Sequence, residues 1–381
     1  MKRQRLELLL LFAGFFALYA LTAQRGVGWG DSAEFQDWIL NHSEFVCGPQ
    51  FSNAHPLYVS FCRLFAVGPT SVTLVSSLFG ALAVVGLYLC TRRVAIAVLF
   101  GLSQMMWWLS CVAEVQTMSL AMTAFETWLF IEGLGRVRTG TSRGVLLLSF
   151  AALLNGIHLS VHNFALLSLP VYAAAAICAF VQRGENGVRR LSAAALCSII
   201  LSWFAGASIW MWHAFSRGLG DVLFGRYGAK VLGVAPASWT HAGFNLFIAS
   251  ISFAVPAALV WWSIKSAGFK TLLRGGTVFK GRFWIVALFA VNFLFWIRYF
   301  VPDQSQFLLP TLFYAYILMK DVKIGANRLV ALALMQVVLP ILAYAAVSQL
   351  PVPEERRGLH DGRNDARYFT IPWRTPALWP R

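Results

Sequence analysis

Eleven apolar runs, each close to the length of a membrane crossing, constrain this 381-residue chain more than any other feature. They fall near 6–24, 70–90, 94–112, 115–134, 144–160, 163–181, 191–212, 242–264, 283–299, 306–319 and 329–348. A helix needs about 20 apolar residues to cross the hydrocarbon core of a bilayer. Inside that core every backbone polar group must find its partner within the protein, so runs of this length read as helices. The expectation is an all-α polytopic membrane protein with about eleven transmembrane helices. Segment 56–67 is too short to cross and is expected to lie in the interface or to re-enter. Charged residues make up 12% of the chain and the mean hydropathy is +0.65, where a soluble domain carries about 25% charge.

The net charge of +15 raises the question of a nucleic-acid partner. The distribution of that charge answers it. With the N-terminus in the cytoplasm, the inner loops hold nineteen Lys and Arg, the outer segments six and the C-terminal tail six. Every alternation along the chain agrees with the positive-inside rule, so the bias is an orientation signal. No nucleic-acid partner is expected. Lys2, Arg3 and Arg5 precede the first run, which is long for a signal peptide and is followed by a poor cleavage site, so it is read as a retained helix. The six cysteines contain no CxxC pair and read as small core hydrophobes.

These spans define a transmembrane domain over 1–348. It contains a first outer loop with interfacial helices over 25–69, a second outer loop over 213–241, and an extended outer tail over 349–381. The polar clusters collect on the outer side. Asp31 and Glu34 precede Phe35, Trp38 and Ile39, which starts an amphipathic helix lying on the membrane. The pair reads either as working carboxylates or as a capping box, with Asp31 as the cap. His55-Pro56-Leu57-Tyr58 leads into the short apolar segment. Pro56 suits a first helical turn and biases His55 toward extended backbone. His55 faces either a phosphate or simply the interface.

Glu114 sits in a tight outer turn. Glu126 falls near the middle of a span, where an ionisable group is either functional or buried with hydrogen-bonding partners. Asn155, His158, His162 and Asn163 cluster at the ends of two consecutive spans. His158 and His162 are four apart and share a helix face, but without a third ligand a divalent metal is not favoured, and no cofactor is expected. In the second loop Arg226 lies among aromatic residues, a combination that can hold an anionic headgroup. Arg298 closes one span, and Asp303 and Gln304 open the next; Arg298 and Asp303 are close enough to pair.

A transporter places polar groups along a path through the bilayer middle. Here the spans lack them apart from Glu126, Asn245 and Asn292. The pattern suits a site at the water–membrane boundary, where a carboxylate can take a proton from a hydroxyl and cations can stabilise a phosphate leaving group. No nucleotide-binding glycine loop is present.

At these residues the chain resembles the GT-C superfamily of polyprenyl-phosphate-sugar glycosyltransferases, and within it the protein O-mannosyltransferase-like branch. The resemblance is carried by Gly30-Asp31-Ser32-Ala33-Glu34, His55-Pro56-Leu57-Tyr58, Ala113-Glu114-Val115, the stretch from Asn155 to Asn163, and Tyr299 to Pro310. These run in the family order over residues 6 to 320. The family's longer His-Pro-Pro-Gly-Tyr-Pro stretch is here only His55-Pro56-Leu57-Tyr58. The resemblance implies a GT-C-like bundle and an inverting transfer of a sugar, mannose or another hexose, from a polyprenyl-phosphate donor to a protein, glycan or lipid hydroxyl on the periplasmic or lumenal face. Asp31, with Glu34, would be catalytic. His55, Tyr58, Glu114, His158, His162, Asn163, Arg226, Arg298, Asp303 and Gln304 would line the substrate site. The alternative is a non-catalytic protein that binds or flips a polyprenyl lipid.

Overall fold

The computed structural model describes residues 2–28, 31–41, 55–138, 142–182, 191–219, 239–267, 282–299 and 304–347. Among them the regular structure is entirely helical. The first seven helices are α1 (Lys2–Thr22), α2 (Asp31–Leu40), α3 (Pro56–Arg63), α4 (Pro69–Thr91), α5 (Val94–Gly101), α6 (Gln104–Ser110) and α7 (Gln116–Arg138). They are followed by α8 (Ser142–Leu159), α9 (Ala165–Val181), α10 (Ala193–Arg217), α11 (Trp239–Ala267) and α12 (Arg282–Arg298). A 3₁₀ turn (Gln304–Leu308) then leads into α13 (Leu309–Leu318) and α14 (Ala326–Val347).

Four of the described helices, α1, α4, α8 and α10, are long and apolar enough to cross a membrane. Their burial sorts them into layers. The apolar stretch of α4 is 72% buried, whereas those of α1 and α10 are 17% and 11% buried. Helix α4 therefore sits at the centre of the bundle, and α1 and α10 present apolar faces outward. Leu9, Leu10, Leu201, Phe204 and Trp212 are exposed on those faces. Apolar surface on this scale is stable only against lipid. The chain is an integral membrane protein.

The apolar run 94–112 forms two helices, where the sequence predicts one. The break is at Leu102-Ser103. Ser103 turns its hydroxyl onto the Phe100 carbonyl at 2.6 Å. The carbonyls freed by the break are taken up by side chains from other helices. Tyr19 of α1 donates to Gly101 O at 2.7 Å, and Gln336 of α14 donates to Leu99 O at 3.2 Å. Non-helical backbone inside a membrane domain survives only when protein groups satisfy it in this way.

Among the described residues the two ends of the bundle are built differently. At one end Arg92 meets Glu132 at 3.5 Å, Arg93 donates to the Lys320 carbonyl, and Arg282 lies 3.7 Å from Asp321. At the other end α2 and α3 lie over the start of α4, and two short turns, 111–115 and 160–164, come up beside them. Phe35, Ile39, Tyr58, Val72, Val115, Met118 and Val161 form one apolar cluster there. Phe164, Trp296, Tyr299, Phe307 and Leu308 form a second. The candidate site lies at this end.

Candidate functional site

Helix α2 begins at Asp31 itself, so Asp31 and Glu34 both occupy its first turn. Carboxylates there are favoured by the helix dipole. The capping-box reading required Asp31 to precede the helix. Gly30, the residue before Asp31 in sequence, lies outside the described residues. Asp31 is half-buried and Glu34 is exposed. The helix is held by Gln36, which is buried. Its side chain accepts from Gly28 N at 2.6 Å and donates to Gly26 O at 3.3 Å and Pro69 O at 3.1 Å. Arg63 of α3 donates to the Trp38 carbonyl at 2.7 Å. Asp31 is thereby carried on a short helix pinned to the end of α3 and the start of α4.

His55 departs from the extended backbone that a following proline favours. It is left-handed, with φ 50° and ψ 55°. A non-glycine residue in this region is strained and persists only where its surroundings impose it. Those surroundings are specific. His55 Nδ1 lies 2.6 Å from the Val161 carbonyl, and Leu57 N donates to the Ser160 carbonyl at 2.9 Å. The start of α3 is thus stitched to the turn between α8 and α9.

That turn carries His162, whose ring stacks on His55 with centroids 4.9 Å apart. Phe35 flanks His55 at 5.6 Å, and Phe307 lies 6.3 Å from His162, edge toward it. The row Phe35, His55, His162, Phe307 joins the two apolar clusters. Burial holds His55 down to about 4, against the pull of the Val161 carbonyl. Burial also holds His162 well below its ordinary value, with His55 and His158 adding to the effect. Two protonated rings at this separation would repel by roughly 3 kcal/mol at a protein-like dielectric, so the stack is a neutral one.

Glu114 is buried and clipped to α4: Ser76 Oγ accepts from Glu114 N at 3.1 Å and donates to Glu114 O at 3.0 Å. Tyr58 is fully buried beside Ser76, Cys62 and Glu114, and this burial pushes its hydroxyl well above the usual range. Asn163 accepts a hydrogen bond from Trp210 Nε1 at 2.9 Å, which ties the turn to α10. Arg298 ends α12 with its side chain exposed. Gln304 opens the 3₁₀ turn, but its side chain, together with all of Arg226 and Asp303, lies outside the described residues.

His158 points away from this surface and into the bundle. It is fully buried with Glu126, Nδ1 to Oε1 at 2.7 Å, and its Nε2 is 2.7 Å from Ser119 Oγ. Asn155 donates to Glu126 Oε2 at 3.0 Å and to the Ala165 carbonyl at 3.1 Å, and accepts from Trp203 Nε1 at 3.0 Å. One network therefore joins α7, α8, the start of α9 and α10. Ser119 and Trp203 did not figure in the sequence reading. A signal for Ser119 was available, because Ser119, Thr123, Glu126 and Thr127 lie at helical spacing on one face of α7 and all are buried.

Beneath Asn155 lies a cavity of about 400 Å³ between α7, α8, α9 and α10. Leu148, Ala152, Leu169, Ile199 and Trp203 are among its walls, which are almost wholly apolar. Helices α8 and α10 approach closely because Gly156 and Gly206 face each other's backbones, with no room for a Cβ at either position.

Neither a protein-family model nor a curated protein sequence matches the chain. Two solved structures do match it. The chain has the fold of ArnT. The crystal structure of ArnT from Cupriavidus metallidurans bound to undecaprenyl phosphate aligns over 91% of this chain, with a TM-score of 0.62 and 12% sequence identity. The apo structure of the same protein aligns over 91% with a TM-score of 0.60 and 14% identity. ArnT is a GT-C glycosyltransferase. The present chain spans 66% and 65% of the two ArnT chains, just under two thirds of their length. Among the described residues, no group of three or more His, Cys, Asp or Glu side chains is arranged to hold a metal ion.

Proposed function

We propose that this protein is a membrane glycosyltransferase of the GT-C type. It would transfer a sugar, mannose or another hexose, from a polyprenyl-phosphate donor to a hydroxyl of a protein, glycan or lipid on the periplasmic or lumenal face. The observation that carries the reading is the ArnT fold over 91% of the chain, with ArnT itself a binder of undecaprenyl phosphate. Its companion is the position of Asp31, at the end of the bundle where α2, α3 and the 111–115 and 160–164 turns meet.

In this reading Asp31 accepts the proton of the acceptor hydroxyl. The hydroxyl oxygen attacks the anomeric carbon, the bond from that carbon to the phosphate oxygen breaks, and polyprenyl phosphate leaves with its electron pair. A single displacement of this kind inverts the anomeric centre. Arg298, or Arg226 of the second outer loop, would stabilise the departing phosphate. Glu34, Glu114 and Tyr58 would line the acceptor side. The apolar cavity between α7, α8, α9 and α10 is consistent with an apolar chain packed within the bundle. The O-mannosyltransferase-like branch is the assignment favoured by the ordered motifs from Gly30 to Pro310, with the N-terminus in the cytoplasm.

That cavity also favours a second reading, in which the protein binds or flips a polyprenyl lipid without chemistry. Asp31→Asn separates the two. Loss of transfer with normal membrane insertion supports the enzyme. Donor binding with no sugar release from either protein supports the binder.

A further inference from the structure

The stacked histidines carry more information than their position. Each ring has one nitrogen committed to backbone, and the two commitments are of opposite kind. The partner of His55 Nδ1 is a carbonyl oxygen, so that nitrogen must bear the proton, leaving His55 Nε2 as a bare acceptor. The partner of His162 Nδ1 is the Phe164 N–H at 3.2 Å, so that nitrogen must be the acceptor, leaving His162 Nε2 protonated. Neither Nε2 has a hydrogen-bond partner among the described residues. The strained backbone of His55 is the means by which its ring meets both Val161 and His162.

We infer that His55 and His162 form a neutral donor–acceptor pair that recognises sugar hydroxyls, with His162 Nε2–H donating to one hydroxyl oxygen and His55 Nε2 accepting from a hydroxyl proton. This rests on the glycosyltransferase reading above and names what the pair does within it. A phosphate is the wrong partner, because it offers only acceptors and negative charge, and the His55 acceptor would repel it. A metal ion is also disfavoured: one of the two outer nitrogens is already protonated, and freeing it would break the Phe164 bond. A sugar supplies donors and acceptors on adjacent carbons.

The test uses substitutions that remove one nitrogen at a time. Asparagine places a polar atom where the histidine Nδ1 lies and nothing where Nε2 lies. His55→Asn keeps the bond to Val161 and tolerates left-handed backbone; His162→Asn keeps the bond from Phe164. The full chain in lipid nanodiscs is titrated with polyprenyl phosphate, with polyprenyl-phosphate mannose or glucose, and with methyl mannoside or glucoside. The expected result is that each asparagine variant weakens binding of a sugar-bearing ligand about tenfold, with polyprenyl phosphate bound as by the parent. Loss confined to the lipid-linked sugar assigns the pair to the donor. Loss confined to the methyl glycoside assigns it to the acceptor. The inference is overturned if the variants lose bare polyprenyl phosphate equally, or if the parent binds sugar ligands and the variants bind them as well. If the parent binds no lipid at all, the glycosyltransferase reading fails and this inference with it. His55→Gln and His162→Gln, which restore a polar atom near Nε2 and abandon the inner bond, guard against misfolding. They recover sugar binding in part if the outer nitrogens matter, and fail to if only the inner bonds do.

Discussion

Removing Glu126 should unfold the protein's middle from the inside. Its carboxylate is fully buried and meets His158 at 2.7 Å and Asn155 at 3.0 Å, and through them α8, the start of α9 and α10. A hydrogen bond to a charged group contributes about 1.5–3 kcal/mol. Two such bonds, lost together with the stranding of a buried His158, place Glu126→Ala at about 3–5 kcal/mol of destabilisation. The size of the side chain alone would cost less. Neutral hydrogen bonds inside membrane proteins average only about 0.6 kcal/mol in double-mutant cycles, so a cycle distinguishes a charge-assisted network from ordinary packing. The assay is reversible unfolding in mixed micelles for Glu126→Gln, His158→Gln and the double variant. A coupling of about 1.5–3 kcal/mol is expected. Additivity within about 0.5 kcal/mol would show that the two groups do not depend on each other, and would refute the network as the tie between these helices.

Other outcomes follow from the same geometry. Gly206→Ala drives a methyl group into the Leu153 carbonyl and should cost about 1–3 kcal/mol, read as a lowered unfolding midpoint with the Trp203–Asn155 contact broken. Acid should loosen the site end. His55 is held near 4, below its ordinary 6.5, so the unfolded chain binds a proton first as pH falls. The associated stability is full above pH 6.5 and declines between 6.5 and about 4. Melting measured across that window should show the decline in the parent and a shallower one in His55→Asn. Tyr19→Phe strands the Gly101 carbonyl at the α5–α6 break and should cost about 1–3 kcal/mol, seen by the same unfolding assay.

Much of this architecture was legible in the chain because membrane burial writes itself into long apolar runs. The run read as 70–90 is helix Pro69–Thr91, and 6–24 is Lys2–Thr22. Segment 56–67, too short to cross, holds the eight-residue α3. What escaped depended on partners far away in sequence. The break at Leu102-Ser103 is stable because Tyr19 and Gln336 reach it, and nothing within 94–112 announces them. The left-handed His55 contradicts its own proline and is imposed by Val161, 106 residues away. At the site, Asp31, His55, Glu114 and His162 lie at one end of the bundle. The inward turn of His158 onto Glu126 was not legible in the sequence, because His158 and His162 share a face only while the helix continues, and α8 stops at Leu159.

The central question is whether Asp31 supports sugar transfer from a lipid phosphate. The direct measurement is release of polyprenyl phosphate, followed by mass spectrometry, when the purified protein is given polyprenyl-phosphate mannose, glucose and arabinose in turn, each with a membrane-lipid, glycan and protein extract as the source of acceptor hydroxyls. Release from one donor by the parent, absent in a folded Asp31→Asn variant, is the predicted result. Undiminished release in Asp31→Asn, or binding of every donor by the folded parent with no release from any, would contradict it.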